Sequence, residues 1–479
     1  MKRTLLIGIA LVILVTGVAM GAGQTDDGSS GPVPIEMLHW FVLEGDRLAY
    51  MEELAAEVGA DLTYNQVAND QMRELHASRI AAGDLADLFS MEDYQPYVDA
   101  QRVGYLANIS ELVDEYDLTN IQEKLIDRTE ELFGDQFRED DGYYGLPAPQ
   151  QVGYLWYMAY RQDWADELGL SYPEDATLED FTEFVTALSD YGDDTIGLTM
   201  YDQNWLSMFI PAFTGYIANT WARPSYQEQD GEWIVVEAMP EYRDFLIWAH
   251  DLYQAGVIDP EIFTNTMAIA HERVLNGTAG AAMLNAGGFD ADFESVNPDG
   301  ELVAFPGAPR GPNGYARTGG AGYYKQWLIG ATNGEAASAA AARYLDLLLS
   351  DEVGERLTAR EWGPEGEARH TFSNQVLGHG LYRFLEPLEP GERNTLKRQY
   401  NQSIREEAIV DDPRSLRYTS RVAEQYEPEV RAVTTTWFTN FILGNDVDPN
   451  SDSDWEDYLA ALDRAGISEL IEDITSVYE

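Results

Sequence analysis

The sequence predicts an α/β protein, and three observations carry that prediction. From Ile35 onward short apolar runs alternate with stretches of helical periodicity, the rhythm of βαβ units on a largely parallel sheet. The 479 residues include no cysteine, so stability must come from a large buried core, which a chain of this length can supply. Beyond the first eighteen residues every apolar stretch is broken by Asp, Glu, Gly or Pro, so none reads as a membrane helix.

Taken in order, Lys2 and Arg3 precede an apolar run from Leu5 to Val18, too short to span a bilayer and remain there. Small residues follow in Ala19-Met20-Gly21, with Gly21-Ala22-Gly23 as a second cleavage register. Residues 1–21 therefore read as a secretory signal peptide, and the mature chain is expected in the periplasm or outside the cell. Residues 22–33 are expected to form a flexible leader, because Thr25–Pro34 is Gly, Ser, Pro and Asp without periodicity. Ile35–Val42 reads as a strand, Arg47–Val58 as a helix, and Asp61–Val67 and Asp87–Phe89 as further strands. Thr177 is placed to cap a helix whose Phe181, Phe184, Val185 and Leu188 form one apolar stripe. Glu241–Ala255 repeats that style and stops at Gly256. Lys325–Ile329 reads as a strand and Glu335–Leu349 as an Ala- and Leu-rich helix. Two short helices close the chain; Ser453 and Glu456 are read as a capping box for the first, and Gly466 separates the pair.

Thirty basic residues face 84 acidic ones, a formal charge of −54, or −56 once Lys2 and Arg3 are lost. Only four lysines occur, at Lys2, Lys124, Lys325 and Lys397. Nucleic acid and anionic lipid would be repelled, so neither is expected as a partner. The acids are spread along the chain, as on a solvated surface suited to salty surroundings.

Catalytic signatures fail on particular residues. His271-Glu272 begins a zinc-protease helix motif, but Leu275 stands where the second histidine belongs. There is no Gly-Lys pair for a P-loop, no Gly-x-Ser-x-Gly elbow and no Gly-x-Gly-x-x-Gly turn. Asp446-Val-Asp448-Pro-Asn450-Ser-Asp452 alternates acids as calcium loops do. Ser451 or Ser453 occupies the glycine position, however, and no bidentate glutamate follows, so a solvated turn before a helix cap is the better reading. No cofactor, catalytic residue or metal is expected. A pair of carboxylates for glycoside hydrolysis is always available among 84 acids, so a secreted carbohydrate-active enzyme stays open as an alternative.

Aromatics make up 12% of the chain, and several flank predicted strand ends, where α/β folds place ligands. Sugar rings present apolar C–H faces and hydroxyls, so a sugar site needs flat rings for stacking and fixed polar groups. The candidate ligand residues with that chemistry are Trp40, Asp93, Tyr94, Gln151, Tyr154, Trp156, Trp205, Asn285, Tyr323, Trp362 and Glu365. Trp40, Trp156, Trp205 and Trp362 are the stacking candidates; Asp93, Gln151, Asn285 and Glu365 are those for hydroxyls.

Five segments appear in the order of one known family: Gly83-Asp84-Leu85-Ala86-Asp87-Leu88-Phe89; Asp141-Gly142-Tyr143-Tyr144-Gly145-Leu146-Pro147; Tyr160-Arg161-Gln162-Asp163-Trp164; Leu252 through Asp259-Pro260; and Glu361-Trp362-Gly363-Pro364-Glu365-Gly366. With them the chain resembles the extracellular solute-binding proteins of carbohydrate ABC importers, in particular the larger lipoprotein-like branch. The resemblance implies a two-lobe periplasmic-binding-protein fold of type II-like form, with a hinge and a ligand cleft. Lobe one is expected from residues 34–147 plus 318–373, and lobe two from 148–317 plus 374–479. The resemblance further implies capture of a mono- or oligosaccharide by hinge closure and delivery to ABC permease subunits. Two departures stand out. The lipidated cysteine of relatives is absent, so no direct lipid anchor is expected, and the acidic loop that resembles a calcium site in relatives is shortened to Ser189–Thr195. A binding protein for a non-sugar solute and a ligand-sensing subunit are the other binding alternatives.

Overall fold

Val33–His39 (β1) pairs in parallel with Ala60–Gln66 (β2) and with Leu88–Met91 (β3). In β2 only Ala60 and Leu62 are buried while the polar residues between and beyond them stay exposed, the pattern of a half-solvated edge strand. All four residues of β3 are buried, as a central strand requires. In the computed structural model these strands belong to a five-stranded sheet ordered β2-β1-β3-β11-β4, completed by Gly145–Pro149 (β4) and Tyr323–Ile329 (β11). The structure describes residues 31–39, 43–91, 94–149, 157–200, 203–218, 224–284, 289–316, 323–353, 356, 396, 399–400 and 413–478, at some of these by backbone alone.

A second sheet of four strands is ordered β10-β5-β9-β6: Leu302–Ala304 (β10), Tyr157–Arg161 (β5), Ala279–Leu284 (β9) and Ile196–Thr199 (β6). Every residue of β5 and β9 is buried. The helix Leu178–Ser189 presses against this sheet so closely that a methyl group at Gly197 would lie 2.0 Å from the Val185 carbonyl oxygen. Tyr226–Gln229 (β7) and Glu232–Val235 (β8) form a separate hairpin, turned by Asp230-Gly231 with φ of 55° and 88°. Two positive φ values in a two-residue turn match the twist of the flanking strands.

The parallel pairing read from the sequence holds for β1, β2 and β3, and again for β6 beside β9. Elsewhere the sheets are antiparallel: β11 runs against both β3 and β4, and β5 against both β9 and β10. The mixture arises because β11 and β5 enter their sheets from connections that arrive at the opposite strand end. The fold class itself is α/β as expected: among the described residues two larger sheets and the β7–β8 hairpin are accompanied by helices along the chain.

Helix signals held unevenly. Thr177 forms a reciprocal box with Asp180: the Thr177 amide donates to Asp180 Oδ2 at 2.8 Å and the Asp180 amide to Thr177 Oγ1 at 3.1 Å. Glu335–Leu349 forms with the expected bounds. The first terminal helix runs Asp452–Ala465 and is capped by Ser451, whose hydroxyl accepts from the Asp454 amide at 3.3 Å. Ser453, the expected cap, is the second residue of the helix; the Asx turn at Asp448-Pro-Asn450 sets the entry two residues early. A third C-terminal helix, Arg421–Leu443, was not read at all, since Pro428 and the run Thr434–Thr436 mask its apolar stripe. Its buried Val430, Phe438, Phe441 and Ile442 override those local preferences.

Burial divides along the sheets. One cluster gathers Tyr157, Phe181, Phe245 and Leu284 with residues of the C-terminal helices such as Phe441, Tyr458 and Leu470. Two others gather residues from Ile35 to Leu146 with β11 and the helix Glu335–Leu349, among them Trp327 and Leu345. Among the described residues no helix is long and apolar enough to cross a membrane.

Candidate functional site

Register brings the strand ends of each sheet to a common edge. In the first sheet β1 and β3 end at His39 and Met91, while Gln326 of β11 faces Met91 and Tyr323 faces Pro149, the last residue of β4. The ends of β1, β3 and β4 and the start of β11 therefore lie along one edge. In the second sheet Tyr157 faces Leu284 and Thr199 faces Ala282, so the start of β5 and the ends of β9 and β6 share an edge as well. Along the chain residues 150–156 lie between β4 and β5 and residues 317–322 between Ala316 and β11; both segments lie outside the described residues.

The sequence candidates cluster at these edges along the chain. Trp40 follows β1, Asp93 follows β3, and Gln151, Tyr154 and Trp156 lie between β4 and β5. Asn285 follows β9 directly. These six lie outside the described residues, as do Trp362 and Glu365. For Trp205, in the turn of helix Gln203–Phe209, and for Tyr323 the structure describes the backbone alone. Tyr94 is described in full.

Behind the edges stand fixed polar groups. His39 is fully buried and stacks on Trp327 at 5.8 Å. His76 lies 3% exposed against Phe89, and its Nε2 is 3.2 Å from the Ser90 carbonyl oxygen. Because that partner can only accept, Nε2 carries the hydrogen and Nδ1 is left bare; Nδ1 is buried without a hydrogen-bond partner. Burial pushes the imidazole down to about 4, so the ring is neutral at pH 7. At the end of β6, Thr199 Oγ1 and Asn265 Nδ2 both donate to buried Asp259 Oδ2 at 2.7 Å, and Asn265 also donates to the Met200 carbonyl at 3.1 Å. Arg273 Nε lies 2.8 Å from the same oxygen but off the N–H line, an ion pair without a hydrogen bond.

Tyr94 begins the helix Tyr94–Arg102 just beyond β3. Its hydroxyl accepts from Arg417 Nε and Nη2 at 2.9 and 2.6 Å, and the guanidinium carbon sits 5.0 Å from its ring centre. Tyr97 packs on the same ring at 5.0 Å. Arg417 Nη2 also donates to Glu139 Oε1 at 3.1 Å, and Tyr97 donates to that oxygen at 3.1 Å. Burial holds the Tyr94 phenol above its ordinary range, against the pull of Arg417, so it is neutral. Neither Arg417 nor Glu139 was picked from the sequence: Pro413–Arg417 is one short turn of helix, and nothing local pairs it with a residue 278 positions earlier. Among the described residues no group of three or more His, Asp or Glu is arranged to hold a metal.

Comparison with known proteins places this geometry. The bacterial extracellular solute-binding protein family matches residues 44–355. Lipoprotein LipO of Bacillus subtilis (strain 168) is 25% identical over 169 residues, and the match spans 33% of this chain and 33% of that relative's length. An HMO binding ABC-transporter associated solute binding protein from Bifidobacterium longum infantis superposes with a TM-score of 0.66 at 16% identity, covering 94% of this chain and 99% of that one. An extracellular solute-binding protein from Bifidobacterium longum subsp. infantis gives 0.68 at 16% identity, over 94% and 98%. The S. pneumoniae ABC-transporter substrate binding protein FusA, an EF-hand mutant in complex with fructo-nystose, gives 0.65 at 15% identity, over 93% and 98%. At these identities the likeness is one of fold.

Proposed function

Because the chain belongs to the bacterial extracellular solute-binding protein family, we propose that it is the extracytoplasmic substrate-binding subunit of an ABC transporter and captures a sugar or oligosaccharide between two lobes. The observation that carries the reading is the pair of strand-end edges, one in each sheet. Open α/β sheets bind ligands at such strand ends. Proteins of like fold include an HMO binding ABC-transporter associated solute binding protein, FusA in complex with fructo-nystose, a maltose/maltodextrin-binding domain bound to maltotriose and a chitin oligosaccharide binding protein, which supports a sugar.

In this reading lobe one comprises residues 34–147 and 318–373, and lobe two residues 148–317 and 374–479. Of the residues singled out for their chemistry, Trp40, Asp93, Gln151, Tyr154, Trp156, Trp205, Asn285, Tyr323, Trp362 and Glu365 supply stacking faces and hydroxyl partners. A ligand gripped by both lobes binds the closed arrangement more tightly and shifts the population toward it. The closed form is then what a permease recognises. No step makes or breaks a covalent bond, and the N-terminal 21 residues direct export.

Native mass spectrometry of the purified protein, followed by thermal shift against maltotriose, fructo-oligosaccharide, laminaribiose and chitin-oligosaccharide panels, tests the reading. A true ligand at a hundred times its Kd adds about 2.7 kcal/mol of stability. Trp40→Ala and Trp156→Ala should abolish that gain while leaving the free protein's midpoint within a few degrees. Hydrolysis of the bound sugar, or a panel in which no sugar stabilises the protein and a non-sugar solute does, overturns it.

A further inference from the structure

We propose that Arg417 is a latch between the lobes, holding a fraction of the ligand-free protein closed and thereby setting its sugar affinity; the proposal rests on the two-lobe reading above. Arg417 is anchored on the second core. Its neighbour Tyr418 is 1% exposed, meets Tyr226 edge-on at 5.2 Å and donates to Asp473 Oδ2 at 2.6 Å. Among the described residues, every group that Arg417 grips belongs to the other side. Tyr94, Tyr97 and Phe137 pack with the clusters built around β1, β3 and β11, and Glu139 follows Phe137 by two residues.

The contact is shaped to hold. Two nitrogens converge on one hydroxyl and one of them also reaches the carboxylate, while the guanidinium lies 5.0 Å from the Tyr94 ring and 5.3 Å from that of Phe137. Side-chain exposure is 17% for Arg417 and 31% for Glu139, so solvent screens this pair less than a fully exposed one. Tyr97 donates to the same Glu139 oxygen and fixes the carboxylate before the arginine arrives. The latch sits at the end of β3, beside the edge where the ligand is placed, so it engages as the lobes meet and needs no ligand to do so. Apparent affinity scales with the fraction already closed, which makes Arg417 an affinity-setting residue that touches no sugar.

The full-length mature chain lacks cysteine, so Asp61→Cys and Asp251→Cys, both exposed and one on each lobe, can carry a single spin-label pair. Distances are read without ligand in the otherwise native protein and with Arg417→Met, Arg417→Lys and Glu139→Gln. The latch predicts that Arg417→Met lowers the ratio of short to long distances by roughly fivefold to tenfold, with Glu139→Gln intermediate and Arg417→Lys partly restored. Sugar affinity should fall by the same factor while the unfolding midpoint holds. If Arg417→Met fails to fold, Glu139→Gln alone carries the measurement. An unchanged ligand-free distribution in folded variants overturns the latch even if sugar binds; opening in a protein that binds no sugar upholds it and overturns only the ligand assignment. One fixed distance, indifferent to variant and ligand, removes the hinge and the latch together.

Discussion

Part of the loosening that acid brings to this protein should come from His76. Its Nε2 is committed to the Ser90 carbonyl, and its buried Nδ1 faces no acceptor, so a second proton would place an unpaired charge in the core. The imidazole falls from the ordinary 6.5 to about 4, chiefly through burial, with the Ser90 hydrogen bond opposing and Arg79 adding repulsion. The folded value lies below the unfolded one, so between those limits the unfolded chain takes up a proton that the native protein refuses. Stability is then complete at neutral pH and drains as pH falls through 6.5 toward 4. Linkage gives a loss of about 2 kcal/mol between pH 7 and pH 5, and about 3 kcal/mol by pH 4. Urea unfolding at pH 7 and pH 5, for the native protein and for His76→Gln, isolates the effect. Glutamine keeps a nitrogen to donate to Ser90 and never titrates, and the remaining groups cancel in the comparison. The native protein should lose about 2 kcal/mol more than the variant over that interval. Equal losses would refute the reasoning and mean that the ring accepts its second proton without penalty.

Other outcomes follow from packing and charge. Gly197→Ala drives a methyl to within 2.0 Å of the Val185 carbonyl oxygen, so the helix Leu178–Ser189 must move off the sheet; a cost of about 3 kcal/mol or more is expected by chemical denaturation, and a neutral result would mean the helix sits farther out. Arg79 holds Glu36 through two hydrogen bonds, 2.6 and 2.8 Å; burial raises that carboxyl, but the Arg79 and Asn65 contacts outweigh it and leave it below the ordinary 4.5. Arg79→Met should therefore cost about 1 kcal/mol above pH 4.5, with the deficit closing as Glu36 is protonated below it, and a gap that widens in acid would contradict the pairing. With a net charge of −54, self-repulsion is screened as the Debye length shrinks from about 10 Å at 0.1 M salt to about 3 Å at 1 M. The unfolding midpoint should climb across that range, and a flat midpoint would show that the acids are already neutralised by their neighbours.

What the sequence reveals depends on the range of the interactions. The strand–helix–strand opening and the helix Glu335–Leu349 are legible because periodicity of two or 3.6 residues is local. The cap at Thr177 is legible for the same reason, being closed within four residues. The helix Arg421–Leu443 is not, because its stability comes from Phe441 and Ile442 meeting side chains of distant elements, which outweighs Pro428. Strand order is equally hidden: nothing near Tyr323 announces that β11 inserts between β3 and β4. For the site, side-chain chemistry and place in the chain relative to expected strands are local and legible, whereas the register that gathers the strand ends to two edges is not. His76 escaped because a polar stretch, Asn69–Ala82, gives no sign that one of its side chains is 3% exposed. Arg417 escaped because its partners are hundreds of residues away.

The insertion of β11 has a consequence for biogenesis. Leu328 and Trp327 fill the interior of the first sheet, yet they are synthesised after the whole second sheet, which ends at Ala304. The amino-terminal half thus lacks the strand between β3 and β4 until about residue 329 has emerged, although β1, β2 and β3 can pair before then. The late arrival of a single strand thus delays the sealing of the first sheet beyond what a sheet built from consecutive strands would require.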